Sequence, residues 1–303
     1  MHHRILVFTL ILFFGPNLTG CSRPLVAPIQ FPDEVAVDFN GYRAYQHILA
    51  QEKIGPRPVG TLAGWEMGNY IAEALRGWGW QVETQPFIFK GVKGRNIIGK
   101  AGKGPLIILG AHYDTRPIAE LDPILQNRQT PIIGANDGGS GVAVLLEMAR
   151  VLYLNGLENE VWLAFFDAED MGFIEGWPFS VGSRVMVNRL PVEPTAVIIV
   201  DMVGDSEQSF YFDHNSNRHL QQSIWETATE LGYGDFFISE LGYTIFDDHI
   251  PFIEHGIPAI VIIDFNYPYW HTTADTADKI SSDSLERVGQ TLIAWLNKET
   301  RSG

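Results

Sequence analysis

Residues 161–172 read VWLAFFDAEDMG. The six consecutive apolar side chains at 161–166 describe a strand covered on both faces, because a half-exposed strand would alternate apolar with polar residues. The run stops at three acids, Asp167, Glu169 and Asp170. Carboxylates crowded at an apolar rim repel one another and resist desolvation. A bound dication reverses that cost by turning the acids into its ligands.

Working outward, similar short runs rich in Val, Ile and Phe recur at 105–109, 196–200 and 259–263, with a further strand at 96–99. Helical spacing is carried by 42–53 and 61–78, which "IGPRPVG" separates, by the apolar stretch 140–154 and by 284–297. Buried strands alternating with helices predict an α/β fold, a three-layer sandwich with a mixed, largely parallel central sheet flanked by helices. Residues 39–303 read as a single catalytic domain.

The ends of these strands carry ligand-type residues. "LIILGAHYD" ends in His112 and Asp114, "VIIVDMVGD" follows its strand with Asp201, and "AIVIIDFNYPYWH" leads to His271; "GANDGGSG" places Asp137 just before a helix. In open α/β sheets ligands bind beyond the carboxyl ends of the strands. Imidazoles and carboxylates delivered to one edge outline a metal site. Nitrogen and carboxylate donors without a thiolate, with a position left open, favour a catalytic zinc. One acid of the Glu169–Asp170 pair can bind the metal while its neighbour carries a proton. Asp114 would orient the His112 ring, and Asp167 would serve a turn. His47, His214, His219 and His255 lack such company and read as surface or cap residues.

The chain carries 21 basic and 36 acidic residues for a net charge of −15, which disfavours nucleic acid as a partner. Residues 1–20, with Arg4 ahead of a short apolar run, fit a secretory signal that is too short to span a bilayer as a stable helix. Their Leu-Thr-Gly-Cys ending at Cys21 resembles the lipobox of bacterial lipoproteins. That resemblance implies an exported, membrane-anchored protein lipidated at its only cysteine, with the Pro-rich stretch 21–38 as a tether.

"GAHYDTRP", "GANDGGSGVAVLLEMAR", "FFDAED", "VDMVG" and "WHTTADT" resemble the zinc-exopeptidase superfamily that includes the M28 aminopeptidases. Within it, "FDDHIPFIEHGIPAI", the Trp270–His271 pair and Trp177 in "EGWPFSVGSR" are similar to the zinc-dependent glutaminyl-peptide cyclotransferases. The resemblance implies one zinc ion on Asp137, Asp170 and His271, with Glu169 as general acid/base. It implies Asp201 and Asp247 in a proton-steering hydrogen-bond network, and Trp177 and Trp270 as walls of the substrate pocket. Two residues depart from the pattern: Asp170 stands where many relatives have Glu, and Val261 where animal cyclases have a network His.

The expected reaction is cyclisation of an N-terminal glutamine, on a peptide or protein, to pyroglutamate with release of ammonia. The alternative is a di-zinc aminopeptidase, in which Asp137 bridges two metals and His112 and Asp201 complete the second. A non-catalytic binding module on the same fold should have lost one of Asp137, Glu169, Asp170 or His271, and all four are present.

Overall fold

The computed structural model describes residues 38–155, 157 and 159–302. The expected signal and all but the last residue of the tether lie outside them. Six strands form the central sheet: β1 (Gln81–Phe89), β2 (Val92–Ala101), β3 (Leu106–His112), β4 (Glu160–Phe166), β5 (Ala196–Asp201) and β8 (Ala259–Ile263), in spatial order β1-β2-β4-β3-β5-β8. The β1–β2 and β2–β4 pairs are antiparallel, whereas β4–β3, β3–β5 and β5–β8 are parallel. A separate two-stranded sheet pairs β6 (Phe210–Phe212) with β7 (Phe237–Leu241).

The central strands show why their sequences read as unbroken apolar runs. Ile107, Leu109, Leu163, Phe165, Ile198 and Val200 enter one core. Their alternates Ile108, Trp162, Ala164, Phe166, Val197 and Ile199 enter a second core on the other face. Five helices contribute to the first: α1 (Gly41–Ile54), α2 (Leu62–Gly77), α3 (Gly139–Asn155), α5 (Arg218–Glu230) and α7 (Ser282–Ser302). The second receives Met186 and Val187 from α4 (Val181–Val187) and Phe252 from α6 (Ile250–Glu254). The result is the expected helix–sheet–helix sandwich. Each large side chain removed from water on these faces contributes about 1.5–3 kcal/mol.

Strand register brings the functional residues level. His112 pairs with Phe166, the last residue of β4, and Gly110 pairs with Ile199, two positions before His112 and Asp201 respectively. Three parallel carboxyl ends therefore open onto one edge. Val261 sits inside β8, paired with Ile199 and buried in the second core, so it fills space there.

One expectation about histidine is corrected. His47 is no surface residue: it is buried on α1, with Nδ1 2.6 Å from the Tyr70 hydroxyl. Burial lowers its pKa from 6.5 to about 4. His214, His219 and His255 are exposed.

Candidate active site

Two groups of potential metal ligands share Asp137: His112–Asp137–Asp201 and Asp137–Asp170–His271, each with its ligand atoms within 4.8 Å of one another. Asp137 lies in the loop before α3, and that loop is held by a carboxylate. Asp275 accepts the backbone N–H groups of Asn136 at 2.9 Å and Asp137 at 3.1 Å, and the Tyr267 hydroxyl at 2.7 Å. Gly138 is required next: its φ is +73°, and a Cβ there would lie 2.7 Å from the His112 ring. The imidazole thereby approaches the start of α3 without obstruction.

The acid pair follows β4 through a tight turn, with Ala168 at φ 61°. Asp167 serves this turn, accepting from the N–H of Ala168 at 3.0 Å and of Arg95 at 3.0 Å. Asp114 does more than sit beside the His112 ring. Its carboxylate accepts the backbone N–H groups of Glu169 at 3.0 Å and Asp170 at 3.1 Å. Its carbonyl oxygen lies 3.2 Å from His112 Nδ1, and its Oδ1 lies 3.7 Å from the same nitrogen. Asp114 thus sets the position of the acid pair more than the tilt of the imidazole.

His271 reaches the site from a residue with φ 54°. Its Nε2 lies 3.3 Å from Asp170 Oδ1 and 3.6 Å from Asp137 Oδ2. Its Nδ1 lies 2.8 Å from Glu120 Oε1, which also accepts from Arg116 Nε at 2.6 Å. The same guanidinium donates to Asp170 Oδ1 at 3.3 Å and to the Gly172 carbonyl at 3.1 Å. Arg116 and Glu120 therefore brace two of the three members of one ligand group. Neither was named from the sequence; the "TRP" after "GAHYD" was the only hint at Arg116.

The electrostatics follow from burial. Desolvation raises the pKa of Glu169 well above the usual carboxylate range, with Asp247, Asp248 and Asp170 adding and His112 opposing. Burial likewise raises Asp247, helped by Asp201 and Asp248. Burial disfavours the charged form of His271, yet Asp170, the hydrogen bonds to Asp170 and Glu120, and Asp137 lift its pKa to about 9. A dication is what so many buried acids lack. The donor set fits one: Asp137 Oδ2 and Asp170 Oδ2 are both buried without a hydrogen-bond partner, and they belong to the same ligand group.

A pocket of ≈ 270 Å³ opens over this group, bounded at its polar end by Asp137, Glu169, Asp170, Asp201, Asp247 and His271. Its apolar wall includes Met202, Ile263, Phe265 and Trp270. The Trp270 ring lies 4.0 Å from that of His271 and 5.0 Å from that of Phe265. Trp177 does not line the pocket, contrary to expectation. It is 5% exposed, packs on Phe89 at 4.8 Å and joins a separate apolar cluster with Val59, Phe87, Ala168 and Val181. The neighbouring loop supplies Phe173 and Phe179 to the pocket instead.

A profile of peptidase family M28 matches residues 96–296, from β2 to the last helix. The chain belongs to peptidase family M28. Among solved M28-like folds, the chain superposes on Porphyromonas gingivalis glutaminyl cyclase with a TM-score of 0.81 at 33% identity, over 86% of this chain and 99% of that one. It superposes on Bacteroides thetaiotaomicron glutaminyl cyclase bound to N-acetylhistamine with a TM-score of 0.80 at 34% identity, over 86% and 98%. Aminopeptidase YwaD of Bacillus subtilis is 30% identical over 66% of this chain, a match that spans 43% of that protein.

Proposed function

We propose that this M28 protein is a zinc-dependent glutaminyl-peptide cyclotransferase that closes N-terminal glutamine to pyroglutamate. The observation that carries the proposal is the pairing of unpartnered oxygens. Asp137 Oδ2 and Asp170 Oδ2 are buried without a hydrogen bond in the group that His271 completes, its Nε2 lying 3.3 Å from Asp170 Oδ1; in the other group His112 Nε2 lies 3.1 Å from Asp137 Oδ1 and 3.2 Å from Asp201 Oδ1. One metal on Asp137, Asp170 and His271 satisfies what is unsatisfied. Similarity to glutaminyl cyclases over nearly their full length supports the same reading.

Bound there, zinc supplies Lewis-acid polarisation of a substrate carbonyl oxygen. The chain's own residues do the rest. Glu169 takes a proton from the substrate's α-amine, whose nitrogen attacks the side-chain amide carbon. The ring C–N bond forms, the bond to the departing nitrogen breaks, and Glu169 returns the proton to give ammonia. A carboxyl raised by burial suits a group that must both accept and donate. Ser180 Oγ, donating to Glu169 Oε1 at 3.3 Å, helps hold it. Asp201 and Asp247, on the pocket wall, steer the proton. No water is consumed, so catalysis consists largely of holding amine against carbonyl, a positioning task for which the wall of Trp270 and Phe265 is suited.

The second reading is a di-zinc aminopeptidase. The compactness of the His112–Asp137–Asp201 group and the likeness to YwaD favour it. Zinc titration separates the two: one tight equivalent supports the cyclase, and two equal ones the aminopeptidase. Under either reading Glu169→Gln should lower kcat by about 10²–10⁴-fold while zinc stays bound. Retained turnover would remove Glu169 from the chemistry. Export and lipid anchoring at Cys21 complete the proposal on sequence alone, placing the enzyme among exported or external peptides. Mass analysis of the membrane-associated protein for an acylated Cys21 tests that part.

A further inference from the structure

We propose that Arg57 is a positioning residue that fixes the carboxylates Asp137 and Asp170 at metal-binding distance from each other. The inference rests on the reading that these two acids hold zinc, and it is the same for a cyclase and for an aminopeptidase.

Arg57 stands in "IGPRPVG", the stretch that parts α1 from α2. Pro58 disfavours helical backbone for the residue before it, and Arg57 lies in the irregular segment between the two helices. Its side chain is fully buried. A guanidinium shut away from water must find its acceptors inside the protein.

Arg57 finds them on two segments that carry the site. Nε donates to the Tyr113 carbonyl at 2.7 Å, just beyond β3. Nη1 donates to the Ile133 carbonyl at 2.7 Å and Nη2 to the Gly134 carbonyl at 2.9 Å. Nη2 also donates to Gln51 Oε1 at 3.3 Å, and Gln51 Nε2 donates onward to the Gly139 carbonyl at 2.9 Å. The backbone N–H of Arg57 donates to Thr115 Oγ1 at 2.9 Å. Burial brings the guanidinium pKa down to about 10, against the opposing pull of Asp275, Asp114 and Asp137, so the group stays cationic at neutral pH.

These acceptors flank the ligands. Asp137 lies between Gly134 and Gly139, and its loop is thereby clipped on both sides. The loop is also tightly curled: Gly134 has a φ of +62°, a Cβ there would lie 2.5 Å from Thr115 Cγ2, and a Cβ on Gly139 would lie 2.5 Å from the Gly134 carbonyl oxygen. Tyr113 and Thr115 flank Asp114, whose carboxylate accepts the N–H groups of Glu169 and Asp170. One guanidinium therefore ties the loop of Asp137 to the residue that seats Asp170. His271 is braced separately, through Glu120. Arg57 acts through the backbone of the two segments, which makes it a positioning residue and not a catalytic one. Lysine cannot take its place, because a single charge on a flexible stem lacks the planar fork that reaches several carbonyls at once.

The test is zinc competition against a chromophoric chelator on the full-length protein, with denaturant unfolding of each metal-free variant to show that it is folded. Arg57→Lys keeps the charge and loses the fork, and should weaken zinc about tenfold or more. Gln51→Leu leaves Arg57 in place and severs the link to Gly139; it should weaken zinc about threefold or more, the scale of one hydrogen bond. Trp295→Ala removes a buried ring that lies with Ile107 at the opposite end of β3. It should lower stability and leave zinc affinity unchanged, which separates positioning from a general loss of stability. Wild-type zinc affinity in folded Arg57→Lys, or in Gln51→Leu should Arg57→Lys fail to fold, would overturn the inference while leaving the zinc reading intact. An equal loss of affinity in Trp295→Ala would overturn it too. A wild-type protein that binds no zinc would overturn the zinc reading and the inference with it.

Discussion

Replacing Glu120 should weaken zinc without unfolding the protein. Its Oε1 accepts from His271 Nδ1 at 2.8 Å and from Arg116 Nε at 2.6 Å, and Arg116 reaches on to Asp170 Oδ1 at 3.3 Å. One carboxylate thus fixes which His271 nitrogen faces the ligand group and holds the cation that braces Asp170. Burial opposes its ionisation, but the hydrogen bonds from His271 and Arg116 and the charge of His271 bring its pKa to about 2, so it is charged at neutral pH. Loss of a carboxylate behind a ligating histidine typically costs 10–100-fold in metal affinity, or about 1.4–2.7 kcal/mol. Glu120→Gln keeps an acceptor oxygen but loses the charge, and should fall near tenfold. Glu120→Ala strips His271 Nδ1 of its partner and should approach a hundredfold. The assay is zinc competition against a chromophoric chelator, paired with denaturant unfolding of the metal-free protein to show that the fold is unchanged. Zinc affinities within about threefold of wild type in both variants would refute the reasoning.

His47 makes stability depend on pH. Its folded pKa of about 4 lies below the 6.5 of the free side chain, so the unfolded chain binds the extra proton between those values. The stability that burial of the neutral ring allows is complete above pH 6.5 and is lost as pH falls toward 4, by roughly 3 kcal/mol. Denaturant unfolding across this window should show a shallower slope for His47→Gln than for wild type; coincident slopes would contradict the assignment. Trp177→Ala should destabilise by about 3–5 kcal/mol, as expected for a large ring removed from an apolar cluster. Unchanged stability with a raised KM would instead return Trp177 to the pocket wall.

The parts of the fold legible in sequence are those that burial constrains most. Strands β3, β4, β5 and β8 are covered on both faces, leaving polar residues no place until the strand ends. Their apolar runs and the ligands beyond them, His112, Glu169, Asp170 and Asp201, are therefore visible together. Strand β1 escaped because most of its residues are not buried, and Pro86 and several exposed polar residues break any pattern. Helix α5 buries only a narrow stripe, including Ile224, Trp225 and Ala228. Glu120 meets His271 across 151 residues from a segment without regular structure, so no spacing rule could pair them. Trp177 was misplaced for a related reason: left-handed residues at 173, 175 and 176 decide which aromatic of that loop faces the pocket, and aromatic content alone does not record the turn.

The central claim is that this site closes a ring within one bound peptide and spends no water on hydrolysis. Mass spectrometry of Gln-Phe-Ala incubated with the zinc-loaded protein tests it most directly. The account predicts a single product lighter by one ammonia with all three residues retained. Free Gln together with Phe-Ala would contradict it and would make His112 and Asp201 ligands of a second metal.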